Sequence, residues 1–289
     1  MADTLIESVS DTAFWIAHYR AIETKRRDAL FRDPLAGVLA GDRGEKIARA
    51  MPMSFWTSWS VVMRTCIIDD FIRSAIAEGV DTVLNLGAGL DTRPYRMDLP
   101  PSLVWFEADY PRLIEYKAER LAGETPRCRL ERMKLDLSDA VERRPMLAGI
   151  DARGTKIVVL TEGVVPYLSE AEVGSLAADL RTMDHVRYWI AEYLAPEIVK
   201  YRNRGLMRRS LQNAPFKFET ADWLGFFRRH GWCSKEIRYL VEEAERFNRP
   251  IQLPPILRVL LTIRGVWSSP EKREAYRKLA GYAMLERAV

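Results

Sequence analysis

The stretch VLNLGAGLDTRPYR, residues 83–96, places Gly87, Ala88 and Gly89 directly after an apolar run, and three further apolar runs close on carboxylates: Asp109, Asp136 and Glu162. Glycines at a strand end let the backbone turn sharply and bring amides and a helix start against a ligand. Taken alone, a Gly-x-Gly after a strand is shared by dinucleotide enzymes and unrelated turns. Two neighbours argue against a pyrophosphate. Leu90 stands where a third glycine would admit a helix beside phosphates, and Asp91 would set a negative charge among them. A nucleoside without phosphates needs a carboxylate for its ribose, polar groups for its base and a cation for any carboxylate it carries. S-adenosylmethionine (SAM) has these needs.

Asp109 lies about 20 residues beyond the glycines, the spacing of a carboxylate that accepts from ribose hydroxyls. It equally reads as a helix cap before Pro111. Asp136, in KLDLSD, either faces an adenine amino group, with the Leu137 amide beside it, or closes a turn, and the two readings are even. Glu162 ends the most apolar run, so a purely structural role would bury a carboxylate to no benefit. A ligand role is expected there, toward an amino group. Arg64 falls among Met63, Ile67, Ile68, Phe71, Ile72 and Ala75 on one helix face, while Asp69, Asp70 and Arg73 are expected to face away. A guanidinium on a core face must be paired. It suits a bidentate grip on the SAM carboxylate, or else an internal ion pair with a strand-end acid.

The elements that would position these groups follow from periodicity. Residues before about 80 read as helices, with a long one from about Ser60 to Glu78. From Asp81, short apolar runs alternate with helical patterns: TVLNLG at 82–87, LVWFEAD at 103–109, LERMKLD at 130–136, KIVVLTE at 156–162 and RYWIAEYL at 187–194. Strands separated by helix-length segments predict βαβ units and a mostly parallel sheet covered by helices, with ligands beyond the strands' carboxyl ends. One integrated domain is expected. It comprises an N-terminal helical cap over 1–80 and a core over 81–289, with a helical lid rich in Arg and aromatics at about 196–231. The tail from Leu279 to Ala288 predicts a last strand.

Composition narrows the class. A chain of 289 residues with 48% hydrophobic content can bury a core without disulfides or metal. Cys66, Cys128 and Cys233 form no CxxC pair, so no metal site is expected. The net charge of +4 reads as Lys and Arg scattered among acids, which argues against nucleic acid. Neither a leader nor an apolar run of membrane-spanning length is seen, so no membrane partner and a cytoplasmic location are expected.

LGAGLDTRPYR, WFEADYP, KLDLSD and TEGVVPYL, in that order and spacing, together with YRAIETKRRDALFRDPLA near the start, resemble the leucine carboxyl methyltransferase-like family, which includes bacterial O-methyltransferases of polyketide and other natural-product pathways. The resemblance implies a Rossmann-like class I methyltransferase fold of α/β class with a seven-stranded sheet. It also implies SAM as cofactor and S-adenosylhomocysteine as product. Under it, Arg64 and Arg20 would hold the SAM carboxylate, Gly87 would line the methionine part with Ala88 and Gly89 beside it, and Asp109 would take the ribose. Asp136 and Leu137 would take the adenine, Glu162 the amino group, and Tyr167 would stand near the methyl-transfer centre in a positioning role. Asn85 departs from the acid many class I enzymes place there.

The expected function is O-methylation of a small hydrophobic or aromatic acceptor through a carboxylate or hydroxyl, in natural-product biosynthesis. An ionised carboxylate needs no base, whereas a phenol benefits from one. His18, His185 and His230 sit in none of these motifs, which tilts the reading toward a carboxyl acceptor. The alternatives are methylation of a protein C-terminal carboxylate, a SAM-binding relative without turnover, and, more distantly, a nicotinamide-dependent oxidoreductase. The aromatic residues Phe14, Trp15, Phe55, Trp56, Trp59, Tyr201, Phe216, Phe218, Trp223, Phe226 and Phe227 are expected mostly to pack the cap, a few of them touching the acceptor.

Overall fold

The computed structural model describes residues 6–253 and 269–288, without the side chain of Leu206. Seven strands form one sheet: β1 (Thr82–Leu86), β2 (Val104–Asp109), β3 (Arg129–Lys134), β4 (Ile157–Thr161), β5 (Val186–Leu194), β6 (Trp232–Tyr239) and β7 (Ala280–Arg287). Their order is β3-β2-β1-β4-β5-β7-β6. The first five pair in parallel, and β7 runs antiparallel to both β5 and β6. This is a Rossmann-like α/β sheet with an antiparallel pair at one edge.

Helices cover both faces, so the central strands TVLNL and IVVLT are buried at every position, whereas β3 at the edge is partly exposed. The tail forms a strand as expected. β6 was not legible in sequence, because WCSKEIRY interleaves charges with too few apolar residues to show an alternation.

Three helices precede the sheet: α1 (Val9–Thr24), α2 (Ala36–Ala50) and α3 (Ser54–Ala77). The expected apolar stripe of α3 packs against Val83, Val158, Leu160, Ile190 and Met284 of the sheet. The helix begins at Ser54 rather than near Ser60, after Met53 in a left-handed conformation with φ 55°. A second correction concerns Asp69. Expected to face solvent, it is 2% exposed and pairs with Arg93 at 2.7 Å and Arg96 at 2.6 Å. The turn after β1 covers that side of α3, which a helical wheel drawn for one partner cannot register.

The segment after β5 divides. Helices Pro196–Arg202 and Gly205–Ser210 lie toward the strand ends, and the backbone amides of Lys217 and Phe218 bond the Pro166 carbonyl of the turn after β4. Helix Trp223–Arg229 instead sinks Trp223, Phe226 and Phe227 into the core with Trp189 and Trp232. No described helix is long and apolar enough to cross a membrane.

Candidate functional site

The strand order reverses between β1 and β4, and there the carboxyl ends of the strands open a cavity of about 620 Å³. Its wall includes Arg20, Arg64, Gly87, Ala88, Gly89, Asp109, Leu137, Glu162 and Tyr167. Of the cofactor-site residues expected from sequence, Asp136 alone is missing from it.

The glycine turn is shaped by a neighbour as much as by the cavity. Gly87 has φ +70°, and a Cβ there would come within 2.2 Å of Val164 Cγ2, in the turn that follows β4. Both the backbone angle and this contact of two strand-end turns require glycine. Gly89, at φ +48°, donates its amide to Asp109 Oδ2 at 2.6 Å. The Tyr110 amide donates to the other Asp109 oxygen at 2.7 Å. Burial raises the Asp109 carboxyl above its ordinary range, while the two amides act against that rise. The carboxylate is thus aimed and held by backbone, with lone pairs left on a cavity wall.

Asp136 takes the turn reading, accepting from the Ser138 amide at 2.9 Å and the Ser138 hydroxyl at 2.7 Å. Leu137 does line the cavity. Its carbonyl accepts from Arg143, a buried arginine that pairs with Asp179, so the loop after β3 is tied to the core.

Arg64 and Glu162 meet each other. Nε of Arg64 stands 2.9 Å from Glu162 Oε1, yet the same buried Nε has no aligned hydrogen-bond partner. The internal ion pair is therefore present but loosely directed, and the guanidinium keeps donors for a ligand. Glu162 also accepts from Arg93 Nη1 at 2.7 Å. Burial would raise its carboxyl, but Arg93 and Arg64 outweigh burial and hold it below the usual range. The expectation that a structural role would leave Glu162 uncompensated is corrected by these two partners.

Arg93, which the sequence reading did not single out, joins Asp69, Asp91 and Glu162. Asp91 also accepts from Asn85 Nδ2 at 2.9 Å. Its charge is thus neutralised within the turn, so Asp91 does not set the repelling charge expected from sequence against a phosphate. Arg20 is likewise engaged, with Nε on Asp33 at 2.9 Å and Nη2 on the Leu90 carbonyl at 2.5 Å.

Tyr167 closes a single 3₁₀ turn after β4, its ring edge-on to Phe216 at 5.2 Å between centroids. Among the aromatic residues named from sequence, Trp15, Phe55, Trp56, Tyr201 and Phe216 line the cavity, and the others pack elsewhere. None of the three histidines lines it.

Sequence reasoning also missed Glu192, a β5 residue that is 5% exposed and lies in register with Tyr282 of β7. Both stand on the cavity wall. Glu192 Oε1 accepts from the Gly163 amide, and its Oε2 has no partner. Burial pushes the Glu192 carboxyl up to about 8. One carboxylate inside RYWIAEYL, otherwise apolar between Tyr188 and Leu194, was the available signal.

The family model of leucine carboxyl methyltransferases matches residues 13–181. A Streptomyces avermitilis protein named "Putative S-adenosyl-L-methionine-dependent methyltransferase" is 31% identical over 84% of this chain and 89% of its own length. A Streptomyces coelicolor protein of the same description is also 31% identical, over 84% of this chain and 89% of its own. Among solved structures, a DUF574 family protein from Streptomyces avermitilis is 14% identical and superposes with a TM-score of 0.54, covering 94% of this chain and 97% of that one.

Proposed function

We propose, for a chain that belongs to the leucine carboxyl methyltransferase family and is a SAM-dependent methyltransferase, that the methyl group goes to a carboxylate or phenol oxygen of a small organic acceptor, in natural-product metabolism and in the cytoplasm. The observation that carries this reading is one cavity shared by two surfaces: the polar strand-end turns and an aromatic wall that includes Trp15, Trp56 and Phe216.

The residues fit SAM. Arg64 presents a buried Nε without an aligned partner, and Asp109 faces the cavity with lone pairs free. Asp109 would hold the ribose, Leu137 the adenine, the Gly87–Gly89 turn the methionine part, Arg64 with Arg20 the carboxylate and Glu162 the amino group. Asp136 would reach the adenine only by leaving Ser138. When bound, SAM supplies a methyl carbon activated by its sulfonium. The chain's contribution is to hold an acceptor oxygen in line with that carbon and to exclude water, the aromatic wall and Tyr167 setting the acceptor's position.

A carboxylate acceptor is ionised at neutral pH and needs no base. For a hydroxyl acceptor, Glu192 stands on the wall with its carboxyl near neutrality and one oxygen free, placed to accept a proton.

Incubating the protein with SAM and a panel of aromatic acids, phenols and carboxyl-terminal peptides is expected to yield a mass gain of one methyl on a small acid or phenol. Gain on peptides alone favours the protein-carboxyl alternative, and no gain with SAM still bound favours a silent binder. Asp109→Ala is expected to weaken SAM binding about 10- to 100-fold, the effect of a lost hydrogen bond to a charged group. An unchanged affinity by calorimetry removes Asp109 from the site.

A further inference from the structure

Helix Pro196–Arg202 ends on an arginine with no carboxylate partner among the described residues. The buried arginines Arg64, Arg93, Arg96 and Arg143 each have a carboxylate partner. Arg202 pairs with none among the described residues, and its buried Nε has no hydrogen-bond partner. Outside the described residues, Asp3 is the one acidic side chain in the sequence. Burial lowers the Arg202 pKa and the neighbouring charge of Arg64 adds to that, while the Tyr167 hydroxyl, its polar neighbour, acts against the fall.

The position is as telling as the missing partner. Arg202 and Phe216 line the main cavity and also a second one, of about 590 Å³, whose wall includes Arg208 and Arg209. The guanidinium lies over the Phe216 ring, 4.5 Å from its centroid. Asn203, the next residue, fixes that ring's backbone from both sides, donating to the Phe216 carbonyl at 2.8 Å and accepting from its amide at 3.3 Å. The cation therefore lies over a ring whose backbone is fixed and whose edge meets Tyr167. Residues 196–217 hold six Lys or Arg against one Glu, while the whole chain is only +4. The basic surplus gathers in this lid, which corrects the expectation that it is scattered.

We propose that Arg202 anchors an anion-recognition site for the methyl acceptor: the acceptor bears a carboxylate that pairs with this guanidinium where the two cavities meet, and its apolar body lies in the main cavity. The planar fork matches a carboxylate's two oxygens, and the contact with Phe216 restrains the guanidinium before the ligand arrives. A buried cation whose polar neighbour is a neutral phenol lacks a compensating charge, and the ligand's carboxylate supplies it. Arg208 and Arg209 add a field that draws an anion toward the gap. The inference rests on the methyltransferase reading of the same cavity.

The test uses the full chain preloaded with S-adenosylhomocysteine, with calorimetric titration of 2-naphthoate and 3-phenylpropanoate, each against its neutral amide. In the wild type, at least one acid is expected to bind about tenfold or more tighter than its amide. In Arg202→Gln, that preference falls to near parity while S-adenosylhomocysteine binds unchanged. In Arg202→Lys, which keeps the charge without the fork, the protein folds and most of the preference is lost. Equal binding of acids and amides by the wild type overturns the proposal, as does a preference that survives Arg202→Gln or stays whole in Arg202→Lys. Loss of S-adenosylhomocysteine in Arg202→Gln overturns it too, by assigning Arg202 to the cofactor. If the wild type fails to bind S-adenosylhomocysteine at all, the methyltransferase reading falls instead.

Discussion

Arg93→Met is expected to destabilise the protein by about 3–5 kcal/mol, the effect of leaving buried charges without their partner. Arg93 is 2% exposed and touches three carboxylates: Asp69 at 2.7 Å, Asp91 at 2.8 Å and Glu162 at 2.7 Å. Its pKa stands well above the ordinary value: burial opposes the charge, but Asp91, Glu162 and Asp69 outweigh it. After the substitution, Asp69 retains Arg96 and Glu162 retains Arg64. Asp91 is left with neutral donors, the Asn85 amide and the residue 93 backbone N–H. Methionine fills much of the volume but supplies no donor, so the change is electrostatic rather than a cavity. Urea unfolding at neutral pH measures it. A loss below about 1 kcal/mol would show that these carboxylates do not depend on Arg93. Because the network joins α3, the turn after β1 and the turn after β4, the same variant is expected to loosen cofactor binding.

The second large effect has the opposite sign. Glu192→Gln is expected to stabilise the protein at alkaline pH. Burial raises this carboxyl from an ordinary 4.5 to about 8 in the folded chain. Between those values the folded state keeps a proton that the unfolded state releases. The group's favourable contribution is therefore complete below pH 4.5 and is lost as pH rises through about 8. The loss is about 1.4 kcal/mol per pH unit inside that window. Glutamine does not ionise and still accepts from the Gly163 amide, so the stability gap between variant and wild type should widen from pH 5 to 8 and then level off. Thermal unfolding across that range reads it directly. A gap that stays flat with pH would mean Glu192 titrates as an ordinary carboxyl. The methylation readout separates structure from chemistry: if Glu192 takes a proton from a hydroxyl acceptor, Glu192→Gln also removes the alkaline rise in rate, whereas a carboxylate acceptor shows none.

Much of this protein was legible in its sequence because the relevant physics is local. Apolar runs of strand length separated by helical patterns specify a parallel sheet, and all five runs read that way are strands. Glycines at 87 and 89 mark a backbone with positive φ wherever the rest of the chain goes. An arginine on the apolar face of α3 must have a partner whatever that partner is, and the structure supplies Glu162.

What sequence left open are the matters of pairing. Whether Arg64 meets an internal acid or only a ligand depends on how far β4 carries Glu162 toward α3, and no helical wheel contains that distance. Asp69 looked solvent-facing because its cover, Arg93 and Arg96, comes from another element. The reason Gly87 admits no Cβ is Val164, which follows a different strand. Arg202 differs from the other arginines between residues 196 and 217 only in which side chains surround it. Periodicity reports which face of an element is buried, through interactions repeated along one chain segment. The identity of the facing side chain is a property of two segments brought together by folding, so only the tertiary structure decided it.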